Sequence, residues 1–233
     1  PHPNPHNSYG HNYGAHREFL EFSLEQNKEL KLYCDSKEII YSTSVWDVTS
    51  AKEMLTFDPE FLKVPSACNN NFKMLQVLRD EFRGQVQLSI GMTKKDEVEE
   101  IVQFFEINNQ AKSRLLLYSC TSGYPVPAED VALLEIKWLY ENYGSRVSEI
   151  GFSGHHLGIA IDVAAYTLGA RWIERHFTKD RTWKGTDHAA SLEPSGLSKL
   201  TRDLNAVYKA LKFKSQDILA IEQVQREKLK NRK

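Results

Sequence analysis

The chain of 233 residues carries 30 Lys and Arg against 31 Asp and Glu, so its net charge of −1 at pH 7 gives no general attraction to nucleic acid or to an anionic membrane surface. Its hydrophobic content of 41% supports one globular core, and no apolar run approaches the ~20 residues needed to span a bilayer. No charged-then-apolar leader opens the sequence, which points to the cytoplasm. Cys34, Cys68 and Cys120 are odd in number, far apart and outside any CxxC spacing, so they read as free thiols rather than a disulfide framework or zinc knuckle.

Residues 1–16 are rich in Pro, His, Asn, Tyr and Gly without apolar periodicity and read as a loop at the rim of the site. The four histidines there, His2, His6, His11 and His16, could form a metal tract, but no Cys or carboxylate partners accompany them. From Arg17 to about Ser36, Phe19, Leu20, Phe22, Leu24, Leu30 and Leu32 recur at helical spacing, and Glu38 to Ser44 then reads as a strand. Further short apolar runs fall at Phe61 to Ser66, Val86 to Gly91, Leu115 to Thr121, Ile150 to Ser153 and Trp172 to Phe177, with helical patterning between them. A last helix covers Leu197 to Leu211, and residues 213–233 form a charged, helical or frayed tail.

Strand and helix alternation implies a parallel sheet. Polar residues close nearly every strand: Thr43, Lys63 with Ser66, Ser89, Thr121 with Ser122, Ser153 with His155, and His176. An open doubly wound sheet concentrates such residues at one switch point, whereas a barrel gathers them from every strand onto one rim. The expected fold is therefore α/β, a TIM-type (β/α)8 barrel over residues 17–212, incomplete at its N-terminal end with about six βα units present.

Alternation places Ser153 and His155 on one face of their strand, so only one of His155 and His156 points inward; Glu174 and His176 share a face while Arg175 turns away. Two imidazoles from adjacent strand ends, with open positions for water or substrate oxygen, suit Mn²⁺, Fe²⁺ or Zn²⁺, and such an ion would polarise a carbonyl. The plainer alternative is a histidine that hydrogen-bonds at a strand end. Lys63 sits in an apolar strand, where an unpaired ammonium is costly. It calls for an anion beside the hydroxyls of Thr43, Ser66 and Ser89, or for an internal carboxylate partner.

The stretch GFSGHHLGIAIDVAAYTLGARWIERHFTKDRTWKGTDHAASLEP, from Gly151 to Pro194, closely resembles the sialic acid synthase family, which includes synthases of N-acetylneuraminate and legionaminate. YGHNYGAHREFLEFS, YSTSVWD, FLKVPSACNNN and YSCTSGYPVPAED extend the resemblance over nearly the whole chain in order. It implies condensation of phosphoenolpyruvate with an N-acetylated amino sugar aldehyde, such as N-acetylmannosamine, to a nine-carbon 2-keto acid and phosphate. It also implies a divalent metal on His155 and His176, with Mn²⁺ expected and Mg²⁺ or Co²⁺ as alternatives. Phosphoenolpyruvate contacts fall on Thr43, Lys63, Ser66, Ser122 and Ser153, and sugar contacts on Tyr124 and Asp187. Ser89 joins the anion cradle, Lys63 neutralises growing charge, and Glu174 is expected to position water.

This sequence departs from the family at Cys68, where many members carry a glutamate, and at Ser122, where some carry an asparagine. Two opening strands bearing a glutamate, a lysine and a glutamine, and a C-terminal antifreeze-like domain, have no counterpart in it. Pairing of barrels into a homodimer is expected from the family. The alternatives are another phosphoenolpyruvate-aldehyde condensing barrel, which GFSGHHLG and KGTDHAASLEP disfavour, and a sugar-binding barrel without turnover.

Overall fold

The structure is a computed structural model and describes residues 5–230. His2, one of the four histidines of the opening segment, lies outside the described residues. In chain order the elements are α1 (Tyr13–Leu20), α2 (Leu24–Asp35), α3 (Val48–Leu55), β1 (Phe61–Val64), α4 (Phe72–Asp80), β2 (Gln85–Ser89), α5 (Lys95–Glu106), α6 (Gln110–Arg114), β3 (Leu115–Cys120), α7 (Glu135–Tyr143), β4 (Glu149–Gly154), α8 (Ala160–Thr167), β5 (Trp172–Arg175), α9 (Pro194–Ala210) and α10 (Ala220–Leu229).

Local chemistry sets several helix starts. Asn12 caps α1 by accepting the Ala15 N–H, Ser23 and Gln26 form a capping box at α2, and Asp47 with Ser50 does the same at α3. Within α5, Val98, Ile101, Val102 and Phe105 recur at helical spacing and are all buried, so this stripe packs against the sheet.

The five strands pair in sequence order, β1-β2-β3-β4-β5, and every pairing is parallel. The sheet curls into a half-barrel. Its two edge strands converge across the concave side, where the rings of Phe61 and Trp172 stand 5.6 Å apart and Lys63 reaches Glu174 at 3.4 Å. The convex side packs on the helices: Leu62, Val64, Val86, Leu88, Leu115, Leu117, Ile150 and Phe152 join the core cluster with residues of α3 to α8. Gly151 has a clear steric role in this curl, because a Cβ there would stand 2.6 Å from the Tyr118 ring on the neighbouring strand.

Two expectations are corrected. Glu38 to Ser44 does not form a strand; its pairing is reduced to a bridge between Ser44 and Lys63, in which Lys63 N–H donates to Thr43 O and Val45 N–H to Lys63 O. Ile39 and Ile40 are exposed, so the segment lacks the burial that holds its neighbours extended. The helical stretch from Arg17 to Ser36 is two helices that start earlier, at Tyr13, and break at Glu21 to Ser23 where the capping box restarts the second. Phe19 and Phe22 there are 64% and 60% exposed, since helical spacing by itself does not supply a surface to cover them. In the C-terminal stretch, α10 carries no buried residue and is tied back by Lys214 on Glu222. No helix among the described residues is long and apolar enough to cross a membrane.

Candidate active site

Period-two alternation sends one set of side chains from each strand into the concave side. From β1 this set includes Lys63, from β2 Gln87 and Ser89, from β3 Tyr118 and Cys120, from β4 Ser153, and from β5 Glu174. Lys63 is 8% exposed, and its Nζ donates to Ser89 Oγ at 2.7 Å, lies 3.4 Å from Glu174 Oε2 and stands 5.3 Å from the Tyr118 ring centre. The internal carboxylate partner that the sequence left open is therefore present. Glu174 keeps 37% of its side chain exposed, so the pair opens onto the concave space rather than closing into the core. Tyr118 in turn donates to Gln87 Oε1 at 2.7 Å, and burial followed by the charge of Glu174 raises the pKa of its hydroxyl.

His155 follows the last residue of β4 and His176 the last residue of β5. Their rings stand 5.2 Å apart, and the ring of Tyr124 lies 4.5 Å from His155 and 5.6 Å from His176. His155 Nδ1 is 3.0 Å from Thr121 O. A carbonyl can only accept, so this contact assigns the proton to Nδ1 and leaves the Nε2 lone pair to a ligand. His156 turns to the other side, against Asp162 and Arg175.

These residues fit a divalent cation that keeps open positions: two imidazoles converge, and the tautomer of one is set by a carbonyl behind it. Among the described residues no group of three or more His, Cys, Asp or Glu side chains could hold a metal ion. The remaining positions would have to come from oxygens of a bound ligand or from water.

Around these residues the strand-end hydroxyls form a second grouping. Gly91 N–H donates to Ser66 Oγ at 2.9 Å, and a Cβ on Gly91 would stand 2.4 Å from Ser122 Oγ and 2.8 Å from Ser66 Oγ. The absent side chain of Gly91 thus lets both hydroxyls close onto its backbone. Ser153 is buried, and Thr43 is half-buried with its carbonyl taken by Lys63 N–H. The Tyr124 hydroxyl is pushed up to about 12, first by burial and then by the charge of Asp187 with smaller contributions from Cys120, Glu174 and Tyr13. The Asp187 carbonyl accepts from Ser191 Oγ at 2.9 Å. The opening segment reaches this rim: Tyr9 donates to Lys184 O at 2.5 Å. His16 from the same segment is buried, its Nδ1 accepting Tyr9 N–H at 3.1 Å.

The structure thus joins Lys63, Ser89 and Glu174 by direct contact, and His155, His176 and Tyr124 by ring packing. Ser89 Oγ accepts from Lys63 Nζ and keeps its own O–H to donate. Cys120 was not singled out as a site residue, although alternation places it on the concave face. Burial pushes its thiol up, but hydrogen bonding and charge from His155, then the hydroxyls of Ser153 and Ser66, outweigh that and lower its pKa overall. At Cys68, burial dominates and pushes the thiol up to about 11.

The model of the NeuB family matches residues 2–216. The chain belongs to the NeuB family. It is 38% identical over 222 residues to the human N-acetylneuraminate-9-phosphate synthase, covering 95% of this chain and 60% of that protein. It is 32% identical over 192 residues to the N,N'-diacetyllegionaminic acid synthase of Campylobacter jejuni, covering 82% of this chain and 56% of the relative. The NeuB chain thus spans about 60% of the length of the human relative. Among solved structures, the N-acetylneuraminic acid synthetase of Leptospira borgpetersenii in complex with citrate superposes with a TM-score of 0.82 at 30% identity, covering 96% of this chain and 78% of that one. A truncated 3-deoxy-D-arabino-heptulosonate 7-phosphate synthase of Thermotoga maritima shares the fold, with a TM-score of 0.68 at 14% identity. The five-strand parallel half-barrel is thus that of sialic acid synthases and aldolase-type barrels.

Proposed function

We propose that this NeuB chain carries most of the active site of a synthase that joins phosphoenolpyruvate to the open-chain aldehyde of an N-acetylated amino sugar, giving a nine-carbon 2-keto acid and phosphate. The observation that carries the reading is the meeting of two groups in one concave space: imidazoles from adjacent strand ends at 5.2 Å, and a Lys63–Glu174 pair whose carboxylate lies two residues before His176. The fold is read as six units of an eight-stranded (β/α)8 barrel, the segment at Ser44 standing for the first of the six.

A divalent cation, with Mn²⁺ favoured over Mg²⁺ or Co²⁺, would be held by His155 and His176 and would polarise the aldehyde oxygen. Lys63 supplies fixed positive charge for the phosphate or carboxylate of the donor, and Ser66 and Ser122 offer hydroxyls held close together at Gly91. Thr43 and Ser153 line the donor side, while Tyr124 and Asp187 face the sugar. As C3 of phosphoenolpyruvate attacks the aldehyde, positive charge develops at C2. Glu174 orients the water that adds there and takes its proton, and phosphate leaves with C–O cleavage. The names of two of these relatives point to acceptors that differ by one phosphate. Three carbons come from the donor and six from the sugar, so a 9-phosphate on the product is a 6-phosphate on the acceptor.

The test is phosphate release from phosphoenolpyruvate by the intact protein with Mn²⁺ and either N-acetylmannosamine or its 6-phosphate. Release that depends on one of the two supports the reading and names the acceptor. Sugar binding without release, with any plausible hexosamine, would favour a binding barrel.

A further inference from the structure

The two imidazoles sit just past the last rung that pairs their strands, Gly154 with Arg175; His155 O accepts from Val126 N–H and His176 O from Leu192 N–H, so no ladder bond runs between the two. Arg175 supplies another tie. It lies between Glu174 and His176 in sequence but on the opposite face, with its side chain 4% exposed. Its Nη2 donates to His156 O at 2.6 Å and its Nη1 to Gly158 O at 2.9 Å, both in the segment that follows His155. The same Nη1 reaches Asp162 Oδ2 on α8 at 2.5 Å, and Asp162 is fully buried. Nη2 also lies 3.5 Å from Ala190 O, in the short helical turn that follows Asp187. One guanidinium thus reaches the chain after His155, the chain after Asp187 and the strand that carries Glu174 and His176.

A buried ion pair is weak evidence for a contribution to stability, because desolvation of both charges offsets their attraction. The planar fork of arginine gives this one a geometric role that a single ammonium cannot fill. We infer that Arg175, anchored by Asp162, is a positioning residue that sets the spacing of His155 and His176 from behind the sheet. The inference rests on the metal reading of those two histidines.

The test uses the intact protein with Arg175→Met and Arg175→Lys, titrated calorimetrically with Mn²⁺ alone, and with Co²⁺ absorption as a readout of ligand geometry. Both variants are expected to bind Mn²⁺ about 10-fold more weakly, the low end of the range for losing a direct partner of a metal ligand, because Arg175 holds the chain beside the ligands rather than the imidazoles themselves. The Co²⁺ spectrum is expected to change. Arg146→Met, which removes a distant pair with Glu99, is the control: it lowers stability without changing Mn²⁺ affinity. If Arg175→Met fails to fold, the lysine variant, which retains a charge for Asp162, carries the test. Wild-type Mn²⁺ affinity and an unchanged Co²⁺ spectrum in the Arg175 variants would overturn the inference, as would an equal affinity loss in Arg146→Met. When His176→Ala abolishes binding in the same experiment, the metal reading survives that failure. Absence of Mn²⁺ binding in the wild-type protein overturns both.

Discussion

The two faces of the curled sheet both bury side chains but are built from different chemistry. On the helix side Leu62, Leu88, Leu117 and Phe152 are closed off from solvent in an apolar cluster. On the concave side Lys63, Ser89, Tyr118 and Ser153 are also buried, and those with assigned partners spend their polar atoms on each other: Lys63 on Ser89 and Glu174, Tyr118 on Gln87. Burial alone therefore does not separate core from site. The helix side stabilises in proportion to the apolar area it removes from water, whereas the concave side must find a hydrogen bond or counter-charge for each polar group it buries. Adjacent His155 and His156 show the difference within two residues, one tilted against the Tyr124 ring and the other held by Asp162 and Arg175.

If that division holds, substitutions on the two faces should move different observables. The largest stability loss is expected from Phe152→Ala, at about 3 to 5 kcal/mol by denaturant unfolding, because the fully buried ring leaves a cavity among packed helices. His176→Ala should abolish Mn²⁺ binding and turnover while changing unfolding by under about 1 kcal/mol. Unchanged affinity by calorimetry would sink the coordination role. Lys63→Met should lower kcat/KM for phosphoenolpyruvate by roughly 100-fold or more, the scale for losing one electrostatic contact to a transition state. Its stability should hold, since partly exposed Glu174 can be hydrated.

Gly91→Ala should raise the KM for phosphoenolpyruvate by about 10-fold, or about 1.4 kcal/mol, since its Cβ enters the space between Ser66 and Ser122. The smallest effect is on the surface. Hydrogen bonding from Arg146 holds the Glu99 carboxyl at about 2, below its ordinary 4.5. A depressed pKa gives stability that is present above pH 4.5 and lost as pH falls toward 2. Arg146→Met should flatten that acid dependence, by less than about 1 kcal/mol because the pair is solvated. An identical acid transition in both proteins would show that Glu99 contributes nothing.

Much of this was legible in the residues. The runs at Phe61, Val86, Leu115, Ile150 and Trp172 all became strands, since a continuous apolar run fits a strand buried between a helix layer and a packed concave side. Alternation placed Glu174 with His176 and turned Arg175 away, and the contacts agree. Glu38 to Ser44 had the composition of a strand but reduced to a bridge, because strand propensity expresses packing against neighbours and that edge has few.

The sequence by itself determined the family, five of the six strands read from it and the opposite faces of Glu174 and Arg175, because residue identity and a period of two need no knowledge of distant contacts. Tertiary structure decided who pairs with whom: Lys63 with Glu174 from the opposite edge of the sheet, Tyr118 over Lys63, and Arg175 across to the chain after His155. Those pairings join residues far apart in the chain, and only the curl of the sheet brings them within hydrogen-bonding reach.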